Sequence, residues 1–497
     1  MLGILWTVSY TVVMVGLSVY GLHRLWMIVT YLRYRHQAEK VGREPEVWPR
    51  VTIQLPLYNE RYVAGRLLES VGRLDYPRDR LEVQVLDDST DETAEVVAAK
   101  VRELRAAGLD IVQVRRGERT GYKAGALQAG LALAKGELVA VFDADFLPPP
   151  GMLKRAVVPF SDARVGMVQT RWGHLNRDYN LLTRVQALFL DGHLLIEQTV
   201  RNRSGRFFNF NGTAGVWRRS CIVDAGGWED DTLTEDLDLS YRAQLKGWRF
   251  VFLPEVVTPA ELPVDIHAFK AQQHRWAKGA IQTCRKLLPR ILESDLPLKI
   301  KVESCFHLTS NFAYLLLAAL AFLTQPVAPE RGAWWHLFLS PEMAVFACAT
   351  FSVVWFYGLV LRENQARWWE YVLYIPALIA VGIGMSINNA RAVLEAALGH
   401  RSEFARTPKY GIRRAVEGWR SKAYVISGGT VPWIECGLLV YYLGVVGYAI
   451  HVGLWSSIPF LLLFLAGFGY ITGISLAQGT LPWLARSRGG GEEHDGV

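Results

Sequence analysis

The sequence predicts an α/β domain on a mainly parallel, Rossmann-like sheet, joined to an α-helical transmembrane bundle. Three observations predict it. Apolar residues make up 51% of the 497 and charged residues only 20%, where a soluble chain is nearer a quarter charged. Six apolar runs contain no Asp, Glu, Lys or Arg: Gly3–Leu22, Phe306–Gln325, Met343–Leu361, Val372–Ala390, Cys436–Leu454 and Ser457–Ala477. Each is close to the ~20 residues that a bilayer-spanning helix needs. Between the first two runs lies a long polar stretch in which short strand-like segments alternate with helical ones, the pattern of βαβ units.

The first run has no basic segment before it and no small-residue cleavage site, so it reads as an anchor rather than a signal peptide. Arg24, Arg33, Arg35, Lys40 and Arg43 follow it. By the positive-inside rule the N-terminus is outside and the polar domain cytoplasmic. Span 391–431, with eight Lys and Arg, should share that side, as should Arg486 and Arg488. Three full crossings between 306 and 390 would place 391–431 on the opposite side, so one of them is expected to lie in the interface or re-enter. In the polar domain Val51–Leu55, Glu82–Leu86, Ile111–Val114 and Leu138–Phe142 read as strands, Glu92–Ala107 and Ala124–Lys135 as helices. The expected divisions are an anchor (1–31), a catalytic domain (32–267), interfacial helices (268–305) and membrane segments (306–390). A cytosolic loop with interface helices (391–433), a membrane hairpin (434–480) and a polar tail (481–497) follow.

Five cysteines, far apart and without a CxxC pair, give neither a disulfide framework nor a zinc site, and point to a reducing compartment. The net charge of +7 flanks membrane segments, which argues against nucleic acid as a partner. No Gly-x-Gly-x-x-Gly or Gly-x-x-x-x-Gly-Lys-Ser/Thr occurs, disfavouring a dinucleotide or P-loop mode.

Acidic motifs fall where the strands end, the place where such sheets bind ligands. Asp143-Ala144-Asp145 leaves the fourth strand; its carboxylates can share Mg²⁺ or Mn²⁺, or form an ordinary Asp/Pro turn with Pro148–Pro150. Asp87-Asp88 ends the second strand and could accept hydrogen bonds from a base or ribose, while Ser89 with Glu92 fits a capping box. Thr232 with Glu235 fits another, and Asp236 beside it could serve as a general base. Gln272-x-x-Arg275-Trp276 opens a basic amphipathic stretch that suits a membrane interface or, alternatively, a diphosphate on Arg275 and a sugar face on Trp276. Lys123, at a helix start, could meet phosphate.

The order Asp-Asp, Asp-x-Asp, Thr-Glu-Asp, Gln-x-x-Arg-Trp, then membrane helices resembles processive family-two glycosyltransferases, the cellulose, chitin, hyaluronan and mannan synthases. Gly121–Gly125, Gln169–Trp172 and Phe210–Gly215 are most similar to cellulose-synthase-like mannan and glucomannan synthases. Phe404-x-Arg-Thr-Pro-Lys409 resembles the cellulose-synthase gating loop, with Arg406 in place of Val. The resemblance implies a glycosyltransferase-A fold and inverting transfer from GDP-mannose or UDP-glucose to a growing β-linked polysaccharide, extruded through the helices. It places Pro56, Tyr58, Glu60, Asp87, Asp88 and Lys123 in the nucleotide-sugar site, with Asp143, Gln272, Arg275, Trp276 and Lys409. It makes Asp236, with Glu235 and Asp145, catalytic, and assigns the metal, Mg²⁺ or Mn²⁺, to Asp143 and Asp145. Phe210, Asn211, Gly212, Thr213 and Trp276 shape the acceptor site; Phe404, Thr407 and Lys409 close the gate. It further implies a multi-pass plasma (inner) membrane protein with a cytoplasmic catalytic domain. A transferase that adds one sugar to a lipid, as ceramide glucosyltransferases do, is the alternative; a transporter with a regulatory domain is more remote. Only residues 478–497 follow Ala477, too few for a cyclic-dinucleotide-binding barrel, so no direct control of that kind is expected.

Overall fold

The computed structural model describes residues 2–37, 42–324, 341–400, 402–404, 406–413, 416–424, 431–455 and 457–489, with the side chains of 2, 341–348, 431 and 480–489 outside the description. The end of the expected polar tail, 490–497, also lies outside it.

Seven strands form one sheet in the order β3-β2-β1-β4-β6-β5-β7. They are β1 (Val51–Leu57), β2 (Leu81–Asp87), β3 (Asp110–Val114), β4 (Leu138–Val141), β5 (Val165–His174), β6 (Gly215–Arg218) and β7 (Arg249–Ala260). The first four are mutually parallel, and β7 runs parallel to β5. Strand β6 is antiparallel to both neighbours, so the sheet is mixed rather than wholly parallel. Ile53, Leu55, Val83 and Val85 are fully buried, as parallel strands covered on both faces require. The polar Thr52 is buried with them, and its hydroxyl donates to Glu82 Oε2 (2.6 Å).

Helices α1 (Leu2–Tyr34), α2 (Ala64–Gly72), α3 (Thr93–Ala106) and α4 (Tyr122–Leu133) precede β4. Later come α5 (Leu181–Asp191), α6 (Glu235–Leu245) and the long α7 (Ile266–Glu293). Neither expected capping box forms. Helix α3 starts one turn later than Ser89, whose Oγ accepts from the Asn59 N–H instead (2.9 Å). Helix α6 starts at Glu235 itself, without a side-chain cap.

The apolar runs become α8 (Leu298–Thr309), α9 (Phe312–Leu323), α10 (Pro341–Glu363), α11 (Trp368–Gly384), α12 (Ser386–Ala397), α13 (Val431–Val452) and α14 (Ile458–Gly489). Among the described residues three helical stretches are long and apolar enough to cross a membrane: Gly3–Tyr34, Pro432–Val452 and Ile458–Gly479. Two further crossings would need bent pairs, α8 with α9 (52°) and α11 with α12 (44°). The first bend has a local cause: Thr309 Oγ1 and Ser310 Oγ donate to carbonyls one turn back (2.6 and 3.0 Å), competing with the helical ladder. At the second, Gly384 packs so closely on α14 that a Cβ there would lie 2.5 Å from the Gly467 carbonyl oxygen. Helix α7 is capped by Asp265, whose Oδ1 accepts from Ala268 N (2.7 Å). It is tied to the hairpin by the buried ion pair Lys270–Glu435 (2.6 Å), with Lys270 also donating to Ser475 (3.0 Å).

Candidate active site

The ends of β1, β2 and β4, the start of α6, the middle of α7, Phe404 and the segment 406–409 surround a cleft of about 1200 Å³, its open mouth included. Strand β4 delivers Asp143 and Asp145. The Asp143 N–H donates to Thr213 Oγ1 (2.9 Å), which fixes the strand end against the loop before β6. Lys123, from the first turn of α4, places Nζ 2.7 Å from Asp143 Oδ1 and 3.7 Å from Glu235 Oε1, and donates to the Gly212 carbonyl (2.8 Å). Lys409 Nζ lies 2.6 Å from Asp145 Oδ1 and 3.2 Å from Glu60 Oε1. Burial opposes ionisation of Asp143, but Lys123 and Lys409 outweigh it and hold the carboxyl below its usual range.

Asp143 and Asp145 thus present two hard oxygen donors at a strand end, each facing a positive charge. That donor set suits Mg²⁺ or Mn²⁺ with substrate phosphates completing the shell. Among the described residues the acidic trio with oxygens close enough to share an ion is a different one, Glu229, Asp231 and Asp238; Lys286 sits among them (2.6, 2.8 and 3.0 Å), as Lys123 and Lys409 do at Asp143 and Asp145.

Asp236 lies across the cleft. Burial first, and the neighbouring Glu235 carboxylate second, push its pKa up to about 7 against the pull of Lys123. Gly212 makes room for it: its φ is +81°, and a Cβ there would stand 2.9 Å from Asp236 Oδ2. Helix α7 contributes Gln272, Arg275 and Trp276 to the lining. Arg275 sits over the Phe404 ring (4.6 Å), its Nε is buried without a hydrogen-bond partner, and no carboxylate among the described residues pairs with it. Phe404 stacks on Tyr122 (5.8 Å), and Arg119 covers the Tyr58 ring at 3.4 Å. Arg406 is 3.6 Å from Glu60 Oε1. The cleft can therefore hold a polyanion at Arg275, a flat ring among Tyr58, Tyr122 and Phe404, and a proton acceptor at Asp236.

Of the residues expected at the site, Pro56, Tyr58, Glu60 and Asp88 line the cleft, as do Asn211, Thr407 and those just described. Three do not reach it. Asp87 is fully buried, one oxygen accepting from Ser89 N (2.9 Å) and the other from Gln113 Nε2 (2.7 Å). Phe210 packs edge-on against Trp217 (5.5 Å), and Thr213 supports Asp143 from behind. Asp88 is gripped by Arg116 through both oxygens. Arg119 and His174 line the cleft without having been singled out, and Trp172, named only as part of the Gln169–Trp172 motif, lines it too. For Arg119 the available signal was a third arginine after Arg115 and Arg116, just ahead of Lys123.

Residues 49–279 match the family described as "Glycosyltransferase like family 2". Glucomannan 4-beta-mannosyltransferase 1 of Oryza sativa subsp. japonica is 44% identical over 271 residues, 53% of this chain and 51% of that protein. Probable glucomannan 4-beta-mannosyltransferase 3 of Arabidopsis thaliana is 34% identical over 446 residues, 85% of this chain and 78% of its own. The match to the first of these spans about half of that relative's length. Among solved structures, the mannosyltransferase PcManGT from Pyrobaculum calidifontis, in complex with GDP-Man and Mn2+, shares the fold. Its TM-score is 0.53 at 23% identity, over 79% of this chain and 100% of that one.

Proposed function

This chain belongs to the family-two glycosyltransferases, in their cellulose-synthase-like branch, and we propose that it transfers mannose from GDP-mannose to the end of a β-1,4-linked polysaccharide. The observation that carries the reading is the pairing, in one cleft, of the buried Arg275 guanidinium, which no carboxylate among the described residues contacts, with the Asp236 carboxyl, whose pKa burial and Glu235 push up to about 7. Arg275 and Lys123 bind the diphosphate; Tyr58, Tyr122 and Phe404 bracket the base; Asp88 meets the base or ribose. Asp143 and Asp145 would hold a divalent cation, which supplies positive charge to the departing diphosphate. Asp236 accepts the proton of the attacking acceptor hydroxyl, whose oxygen bonds to the anomeric carbon of mannose as the bond to the diphosphate breaks; GDP departs and the anomeric configuration inverts. Lys409, Arg406 and Phe404 cover the donor from the loop and exclude water.

Repeated addition and export of the chain are part of the same proposal. Helix α5 reaches the cleft through Leu190, and the turn at 192–198 follows it. Val185, Leu188 and Ile196 there share one core with Met27 of α1, Phe356 of α10 and Leu378 of α11, which sets this part of the domain against the membrane helices and supports export beside it. We place the chain as a multi-pass protein of the plasma (inner) membrane, and the basic flanks of its apolar segments support a cleft on the cytoplasmic side. The test is nucleotide release and product length with the full chain in detergent, GDP-mannose and Mn²⁺ or Mg²⁺. A long mannan lost in Asp236→Asn supports the reading; a single-sugar product would reassign the chain to glycolipid synthesis.

A further inference from the structure

Asn211 lines the cleft, and its carboxamide is held from behind. Its Oδ1 faces three nitrogens: His193 Nε2 (3.0 Å), Gln198 Nε2 (3.1 Å) and Asn209 Nδ2 (3.0 Å). Its backbone N–H donates to Gln169 Oε1 (2.9 Å). The carboxamide nitrogen, in contrast, is buried and has no hydrogen-bond partner. With the oxygen surrounded by donors, the nitrogen turns away from them, and in this cleft-lining residue an unpaired buried donor is costly until an acceptor arrives.

His193 and Gln198 reach the same oxygen because Gly192–Gln198 is a π-helical turn. Its wider winding brings residues five apart onto one side, which an α-helix would not. The turn is anchored behind. His193 Nδ1 lies 3.1 Å from Glu197 Oε2, Glu197 pairs with Arg201 (3.1 Å), Arg201 with Glu303 of α8 (2.9 Å), and Glu303 with His23 of α1 (2.9 Å). No step of the reaction proposed above uses this chain of charges.

We propose that His193 is a positioning residue: with Gln198 it orients the Asn211 carboxamide so that its N–H₂ meets a hydroxyl of the acceptor sugar, and thereby sets the acceptor's place relative to Asp236. This rests on the reading of the cleft as a mannosyltransferase site. The partner of the amide is a hexose hydroxyl at the growing end, not the nucleotide.

The test uses the full chain in detergent with GDP-mannose and a manno-oligosaccharide acceptor, comparing His193→Ala, His193→Gln, Gln198→Met, Asn211→Ala and His193→Ala/Asn211→Ala. His193→Ala should raise the acceptor KM about tenfold, the loss of one oriented hydrogen bond, and leave GDP affinity unchanged. His193→Gln, which keeps a donor, should restore most of it. The double variant should be no worse than Asn211→Ala alone, because both act through one contact. Should His193→Ala fail to fold, Gln198→Met carries the same expectation. Acceptor KM unmoved in His193→Ala or Gln198→Met, or a GDP affinity that falls in step with it, would overturn the inference while leaving the transferase reading intact. A wild-type chain that neither binds GDP nor releases it from GDP-mannose would refute both.

Discussion

Replacing Glu235 by Gln will move the acid limb of the kcat/KM profile to lower pH while leaving the base in place. Burial and the Glu235 carboxylate hold Asp236 protonated up to about pH 7. A base with that value is about 10% ionised at pH 6 and about 90% at pH 8, so wild-type kcat/KM should rise roughly ninefold between them. Glutamine keeps the shape of Glu235 and deletes its charge, so the contribution of burial remains. Loss of one adjacent like charge lowers the pKa by about one unit, or about 1.4 kcal/mol. The rise between pH 6 and 8 then shrinks to about twofold, because half the base is already ionised at pH 6. Lys123→Met should do the reverse, since the Lys123 ammonium is what pulls Asp236 down. The assay is the initial rate of GDP release at subsaturating donor from pH 5.5 to 8.5. A Glu235→Gln profile that superposes on wild type, or shifts to higher pH, would refute the electrostatic reasoning.

Three further outcomes are expected. Gly212→Ala forces an alanine to a φ of +81° and drives a Cβ to 2.9 Å from Asp236 Oδ2; activity should drop at least tenfold while the melting temperature falls only a few degrees, for about 1–2 kcal/mol of backbone strain. Arg275→Ala removes this buried cation, and the Kd for GDP should rise about 10- to 100-fold, as for a charged hydrogen bond worth about 1.5–3 kcal/mol; calorimetry checks it. Glu435→Gln strands Lys270 in a buried site and should cost about 3–5 kcal/mol, read by thermal unfolding in detergent, whereas Lys270→Met/Glu435→Leu should recover most of it.

The strands of the first half were legible because each is a short apolar run bounded by turns, and β1, β2, β3 and β4 lie where that pattern puts them. Strand β6 was not, since Gly215–Arg218 has four residues and its direction is set by wedging between β4 and β5. The bend between α8 and α9 escaped the sequence because hydropathy counts apolar residues and ignores Thr and Ser side chains that bond backward to the helix; that between α11 and α12 lies where Gly384 packs on α14, a contact between distant segments. At the candidate site the motifs and their resemblance pointed to Asp143, Asp145 and Asp236, which line one cleft, but could not separate Asp87 from Asp88. The strand's alternation turns one into the sheet and the other toward the cleft. His193 and Gln198 gave no signal at all, because their common partner depends on a π-helical turn that no residue pattern announces.

The most direct measurement of the central claim is product analysis of the purified chain given GDP-mannose and UDP-glucose separately with Mn²⁺, alongside Asp236→Asn. The account predicts GDP release and a long β-linked mannan from GDP-mannose, both abolished in the variant. Release that survives in Asp236→Asn, or turnover confined to UDP-glucose, would contradict it.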